Sequence, residues 1–320
     1  MASSGAGSLG AVSRLDRHVL QSVSRSFYLS LRLLPQPMRP ATSTGYLLAR
    51  ASDTLADTAD VPVDERLDLL DGFAAELEGK GTAWRDRKLR SFAEKQTHPG
   101  EQVLLERLDD CFAALSELDR LQADAVREVL ATIVSGQRLD LIRFEEASRE
   151  RPVALKSEAE LEDYCYRVAG CVGAFWTRIG LLTMGCDFSN SDPDDLRDLG
   201  VRYGMGLQLV NILRDLPEDL ANGRCYLPAA DPGDREEMAR LRNEWLDHAA
   251  VWLESGRRYG TRLNQWRVRA ASVLPALIGE DTVTLLKADP TFPAGGAKVK
   301  VTRKQVRRSM WRACWWRKRP

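Results

Sequence analysis

Apolar positions along this chain recur mostly at intervals of three and four. The pattern runs through "DERLDLLDGFAAELEG", "ADAVREVLATIVSGQRLDLIRF", "LEDYCYRVAGCVGAFWTRIGLLTMG" and "REEMARLRNEWLDHAAVWLESGRRYGTRL". That is the period of an amphipathic helix, and no stretch alternates convincingly as a strand would. Breaker clusters separate the periodic segments: "LPQPMRP", "KGTAW", "THPGEQ", "SNSDPDD" and "PAADPGD". The pattern predicts an all-α protein with a single helical domain over residues 12–290. Residues 1–11 read as a flexible leader and 291–320 as a basic tail containing tryptophans. No repeat of fixed period is present, and no linker interrupts the helices before "DPTFPAGGA".

Two segments place carboxylates where the period predicts core. In "DTLADTAD" the pair is Asp53 and Asp57; in "NILRDLPEDL" it is Asp215 and Asp219. Residues four apart share a helix face, so each pair sets like charges side by side. Extended backwards, the first pair joins Tyr46 and Arg50, and the second joins Gln208 and Asn211. Each set forms one polar stripe on an otherwise apolar helix. A single pair would read as a solvated face, but two with matching polar extensions point to a ligand. Carboxylates without His or Cys are hard oxygen donors, suited to Mg²⁺ rather than zinc. Mg²⁺ bridges a few carboxylates to phosphates, so two such pairs suit a metal-held diphosphate, with Arg50, Arg214 and Arg224 as further phosphate contacts. Pro217, between the second pair, predicts a kink or an end to its helix.

Composition narrows the classes. The chain has 320 residues, 44% hydrophobic and 29% charged, enough for a sizeable core. Net charge is zero but uneven: Lys298 to Pro320 holds ten Lys or Arg and no acid, leaving 36 bases against 46 acids elsewhere. An acidic body with no recognisable reading module argues against nucleic acid as a partner. The basic tail, with Trp311, Trp315 and Trp316, suits an anionic membrane surface. No apolar core of signal-peptide length starts the chain, and no run of 18 apolar residues follows. The expected location is cytoplasmic, peripheral at the inner membrane face. Six scattered cysteines without a C-x-x-C pair read as reduced thiols, and His18, His98 and His248 form no zinc motif. "GAGSLG" matches a dinucleotide fingerprint in letters only, since no strand precedes it.

The chain resembles the squalene/phytoene synthase family of head-to-head prenyl synthases over about residues 20–290. The resemblance rests on "SRSFYLSLRLLP", "ARASDTLADTAD", "YCYRVAGCVG" and "LQLVNILRDLPEDLANGRCYLP", in that order. It implies an isoprenoid synthase fold with helices around a central cavity. It also implies Mg²⁺ at Asp53, Asp57, Asn211, Asp215 and Asp219, which would serve catalysis with Tyr164, a residue matched to proton transfer. On its own surroundings Tyr164 reads equally as a core tyrosine. Ser24, Ser26, Tyr46, Arg50, Gln208, Arg214, Arg224 and Tyr226 would contact substrate diphosphate. Phe27, Leu31, Val168, Ala169, Cys171 and Val172 would line the prenyl tunnels.

The implied reaction joins two farnesyl diphosphates into a cyclopropylcarbinyl diphosphate, then reduces it to squalene with NADPH. Dehydrosqualene, phytoene, or arrest at presqualene diphosphate are the alternatives. "VAGCVGAFWTRIG" is closer to squalene-forming members, and "LPALIGEDTVTLL" lacks the late tyrosine of phytoene synthases. No segment marks where NADPH would bind.

Overall fold

The computed structural model describes residues 27–58, 60–85, 88–289 and 298–316. The leader, Ser24, Ser26 and the side chain of Phe27 lie outside the described residues, as does the segment 290–297. The fold is all-α, as the periodicity predicts. Its helices are α1 (Phe27–Leu33), α2 (Arg39–Asp57), α3 (Val63–Leu77), α4 (Lys88–Glu94), α5 (Pro99–Glu106), α6 (Leu108–Ser116) and α7 (Arg120–Arg143). There follow α8 (Glu158–Cys165), α9 (Cys171–Met184), α10 (Pro193–Ala221), α11 (Arg235–Arg262), α12 (Trp266–Lys287) and α13 (Arg303–Cys314). The chain divides into two compact units, and the boundary falls inside α7 between Val134 and Ser135.

In the first unit, Leu48 and Leu55 of α2, Leu69 and Phe73 of α3, Phe92 of α4 and Leu104 of α5 are fully buried. Phe73 meets Phe112 and Trp84 edge-on, with centroids 5.4 and 6.2 Å away. The run "THPGEQ", read as a breaker, instead starts α5, with Pro99 at its N-terminus. Proline fits there because the first helical N–H has no partner to lose.

The second unit is built on α10 and α11. Leu209, Leu213 and Leu216 share a core with Leu161, Trp245, Leu246 and Leu253. Asp192 and Asp234 cap the two helices, their side chains accepting from the backbone N–H groups of Asp194 and Asp195, and of Glu236 and Glu237. Small residues let α9 reach α10 closely: a Cβ on Gly173 would lie 1.9 Å from the Gly200 carbonyl oxygen. Between α8 and α9 the helix widens into a π-turn, Tyr166–Gly170, within "YCYRVAGCVG". The run 158–187 is long and apolar enough to cross a membrane by composition. Leu161, Cys165 and Ile179 within it are fully buried.

Three local features go beyond the sequence pattern. Pro217 does not end its helix; α10 continues to Ala221. The proline removes one backbone bond, while Leu213 and Leu216, four and one residues before it, are locked in the core. Strand pairing exists on a small scale: β1 (Val153–Ala154) runs parallel to β2 (Arg224–Cys225). Gly223 turns the chain into β2 at φ 79°, where a Cβ would lie 2.1 Å from the Ser148 carbonyl oxygen. The basic segment carries a docked helix: Ala313 of α13 is buried against Val273, Leu274 and Leu277 of α12. Thr302 and Gln305 form a capping box at the start of α13. All six cysteines are free; Cys111, Cys165, Cys171 and Cys225 are buried, and Cys186 and Cys314 exposed.

Candidate active site

The first stripe lies on α2. Leu47, Leu48, Ala51, Ser52, Thr54 and Leu55 are buried; Tyr46, Arg50 and Asp53 are half-buried and Asp57 is exposed. The polar stripe is therefore the face that α2 leaves open. Arg50 is anchored by an ion pair to Glu101 of α5. Burial works against its charge, but Glu101 and Asp53 outweigh burial and raise its pKa further. Glu101 escaped the sequence reading because it sits in the run taken for a breaker.

The second stripe lies on α10. Leu209, Val210, Ile212, Leu213 and Leu216 face the core, while Gln208, Asp215 and Asp219 are half-buried and Asn211 is exposed. Arg214 grips Asp215 with two hydrogen bonds, 2.9 Å from Nε and 2.7 Å from Nη2. Lys298 places its ammonium 2.8 Å from Asp215 and 3.1 Å from Glu218. Burial pushes the Asp215 carboxyl up, but these two cations outweigh it and hold it below the usual range. Asp219 is the reverse case. Burial, opposed by Arg224 at 3.4 Å but aided by Asp215, Asp140 and Glu218, raises it to about 7.

Beside this stripe is an aromatic pair. Tyr164 of α8 stacks on Tyr226, with centroids 4.8 Å apart and planes 24° apart. The Tyr226 hydroxyl donates to Asp140 Oδ2 at 2.8 Å. Burial, Tyr164 and Asp140 all push the Tyr226 phenol well above its ordinary pKa. Asp140, on α7, was missed by the sequence reading; its only signal is a carboxylate inside the apolar run "RLDLI". Val168 and Ala169 lie half-buried in the π-turn, and Val172 is half-buried just after it. Cys171 and Leu31 are buried, the Cys171 thiol donating to the Arg167 carbonyl at 2.9 Å. Phe27 opens α1.

Among the described residues no group of three or more His, Cys, Asp or Glu forms a metal cage. The donor set still fits Mg²⁺. Asp215, Asp219 and Asn211 offer only oxygen donors on one face of α10, and Mg²⁺ takes one or two carboxylates with phosphate and water. Burial first, and then the carboxylates of Asp215, Asp140 and Glu218, push Asp219 up; a divalent ion would offset that charge crowding. No residues are assigned to NADPH.

An all-α chain with two aspartate stripes on open helix faces, arginines beside both, is of the isoprenoid synthase fold class. It matches the squalene/phytoene synthase family model over residues 20–312. The chain belongs to that family, whose members are prenyltransferase-type enzymes. It is 30% identical over 205 residues to the presqualene diphosphate synthase of Zymomonas mobilis, covering 64% of this chain and 56% of that one. It is also 30% identical over 233 residues to the 15-cis-phytoene synthase of Synechococcus elongatus, covering 70% and 61%. The chain thus spans about three-fifths of the length of these curated relatives. In structure it resembles TcSQS solved with a ligand, at TM-score 0.72 and 23% identity, covering 94% of this chain and 85% of that one.

Proposed function

We propose that this protein condenses two farnesyl diphosphates head to head, through a cyclopropylcarbinyl diphosphate, to squalene. The observation that carries the reading is the pair of open polar stripes, Tyr46–Arg50–Asp53–Asp57 on α2 and Gln208–Asn211–Asp215–Asp219 on α10. Mg²⁺, when bound, supplies charge stabilisation to the departing diphosphate, and Asp53, Asp57, Asn211, Asp215 and Asp219 would hold it. Arg50, Arg214 and Arg224 take diphosphate oxygens. Glu101 and Asp215 hold the first two guanidiniums in place, so little reorganisation is left for the reaction. Tyr46 and Gln208 add neutral contacts.

In the first stage one allylic C–O bond breaks and diphosphate leaves with the electron pair. The alkene of the second substrate attacks the cation, forming a C–C bond. Loss of a proton then closes the cyclopropane. Tyr164 relays that proton: its hydroxyl gives its own proton to the leaving diphosphate as it takes up the one released by the cation. Tyr226 does not compete for this role, because its hydroxyl is committed to Asp140; it orients the Tyr164 ring by stacking. Val168 and Ala169 exclude water from the cation. In the second stage the cyclopropyl diphosphate ionises and rearranges. Squalene formation would require a hydride at this point, which NADPH would supply when bound.

A second reading, arrest at presqualene diphosphate, is favoured by the relative bearing that name. Purified protein with Mg²⁺ and farnesyl diphosphate, with and without NADPH, should be followed by mass spectrometry of the extracted lipids. Squalene formed only with NADPH is the expected result. Cyclopropyl diphosphate under both conditions supports the second reading. A forty-carbon product from geranylgeranyl diphosphate, formed in preference, overturns both.

A further inference from the structure

The outer face of α13 has a composition that water does not explain. Its inner side, Ser309 and Ala313, is buried on the second unit. Ser309 donates to Asp281 at 3.1 Å, and Arg312 faces Glu280. The outer side carries Lys304, Arg307, Arg308, Trp311 and Trp315, all exposed. Lys304, Arg308, Trp311 and Trp315 follow one another at helical spacing, so they form one stripe. The two indoles are 67% and 64% exposed and lie against each other, with ring centroids 6.1 Å apart. Burying an indole is among the larger apolar gains available to a fold, yet these two are left out.

The cations are also poorly placed for the helix. Arg303 and Lys304 occupy the first turn, which has no acidic residue, and a helix N-terminus disfavours positive charge. Among the described residues, Arg303, Lys304, Arg307 and Arg308 make no ion pair. The same end of the unit supplies a third exposed indole. Arg269 of α12 donates to the Trp316 carbonyl at 3.0 Å, and three residues before it Trp266 is 52% exposed, with the Arg267 guanidinium 6.0 Å from its ring.

We propose that the α13 outer face is a docking surface for an anionic phospholipid bilayer. The indoles enter the interfacial layer with their N–H groups still wet. The cations meet the headgroup phosphates, so the patch matches an anionic surface in both polarity and charge. The helix lies in the plane of the surface rather than crossing it. This surface is separate from the coupling chemistry, and vesicle binding tests it without turnover.

The full chain is mixed with vesicles of phosphatidylcholine alone, and with vesicles that also contain phosphatidylglycerol. Co-sedimentation and quenching of tryptophan fluorescence by brominated lipid are measured. Binding is expected only to the anionic vesicles, falling with added salt. Trp311→Ala/Trp315→Ala and Arg307→Gln/Arg308→Gln each weaken it by about tenfold or more, the first pair also reducing the quenching per bound protein. Circular dichroism and thermal midpoints should match wild type, because these side chains are exposed. Equal binding to both vesicle types, or binding unchanged in both variants, overturns the proposal. So does retention of an RNA oligonucleotide without vesicle binding.

Discussion

The hydrogen bond from Tyr226 to Asp140 can be removed with little else disturbed. Tyr226→Phe keeps the ring, stacked at 4.8 Å on Tyr164 and edge-on to Phe144 at 5.1 Å. What disappears is one 2.8 Å bond from a residue only 6% exposed. Donation to a carboxylate is worth about 1.5–3 kcal/mol, with the penalty enlarged when the acceptor stays buried. We expect a loss of about 2 kcal/mol. For a domain of roughly 150–250 residues that lowers the midpoint by about 4–8 °C. Because two units can unfold separately, the tryptophan-rich second unit should be followed by fluorescence as well as calorimetry. A double-mutant cycle with Asp140→Asn isolates the pair. A coupling energy under about 0.3–0.5 kcal/mol, the range for independent sites, would refute the assignment of this bond as a determinant of the tyrosine stack.

Two further expectations concern the α10 carboxylates. Lys298→Ala removes an ammonium paired with Asp215, one of the carboxylates that would hold the metal; the lysine side chain is 39% exposed, so the pair is worth at most about 1 kcal/mol. Mn²⁺ titration by electron paramagnetic resonance should therefore show binding tightened by no more than about fivefold, and weaker binding would mean Lys298 helps to hold the ligand. Asp219 keeps its proton in the folded, metal-free protein up to about pH 7, whereas an unfolded aspartate loses it near pH ~4. Stability from this group is therefore lost as pH rises through that window. Asp219→Asn should unfold at a higher temperature than wild type at pH 8 but not at pH 4, and an identical pH slope in both proteins would contradict the assignment.

What was legible in the sequence was what helical periodicity controls. The stripes on α2 and α10 were read from spacing alone, and the structure buries the residues between them while leaving the stripes open. Partners set by tertiary packing were not legible. Glu101, Asp140 and Lys298 lie 51, 86 and 83 positions from Arg50, Tyr226 and Asp215, and nothing local marks any of them. The π-turn at Tyr166–Gly170 leaves the apolar pattern intact, so it gives no sign at the level of composition. Pro217 does not end its helix because the core contacts of Leu213 and Leu216 offset a local penalty that the sequence shows alone. The β1–β2 pairing, two residues long on each side, is too short for alternation to register.

The central claim is that the two aspartate stripes bind and release diphosphate with Mg²⁺. Its most direct test is Mg²⁺-dependent release of diphosphate from farnesyl diphosphate by wild type, Asp53→Asn and Asp215→Asn, with far-UV circular dichroism on each. Both variants should fold as wild type, since the two side chains lie on half-open helix faces. Each should lose about a hundredfold or more in rate. Near-wild-type release by both folded variants, or release by wild type that persists without Mg²⁺, would contradict the account.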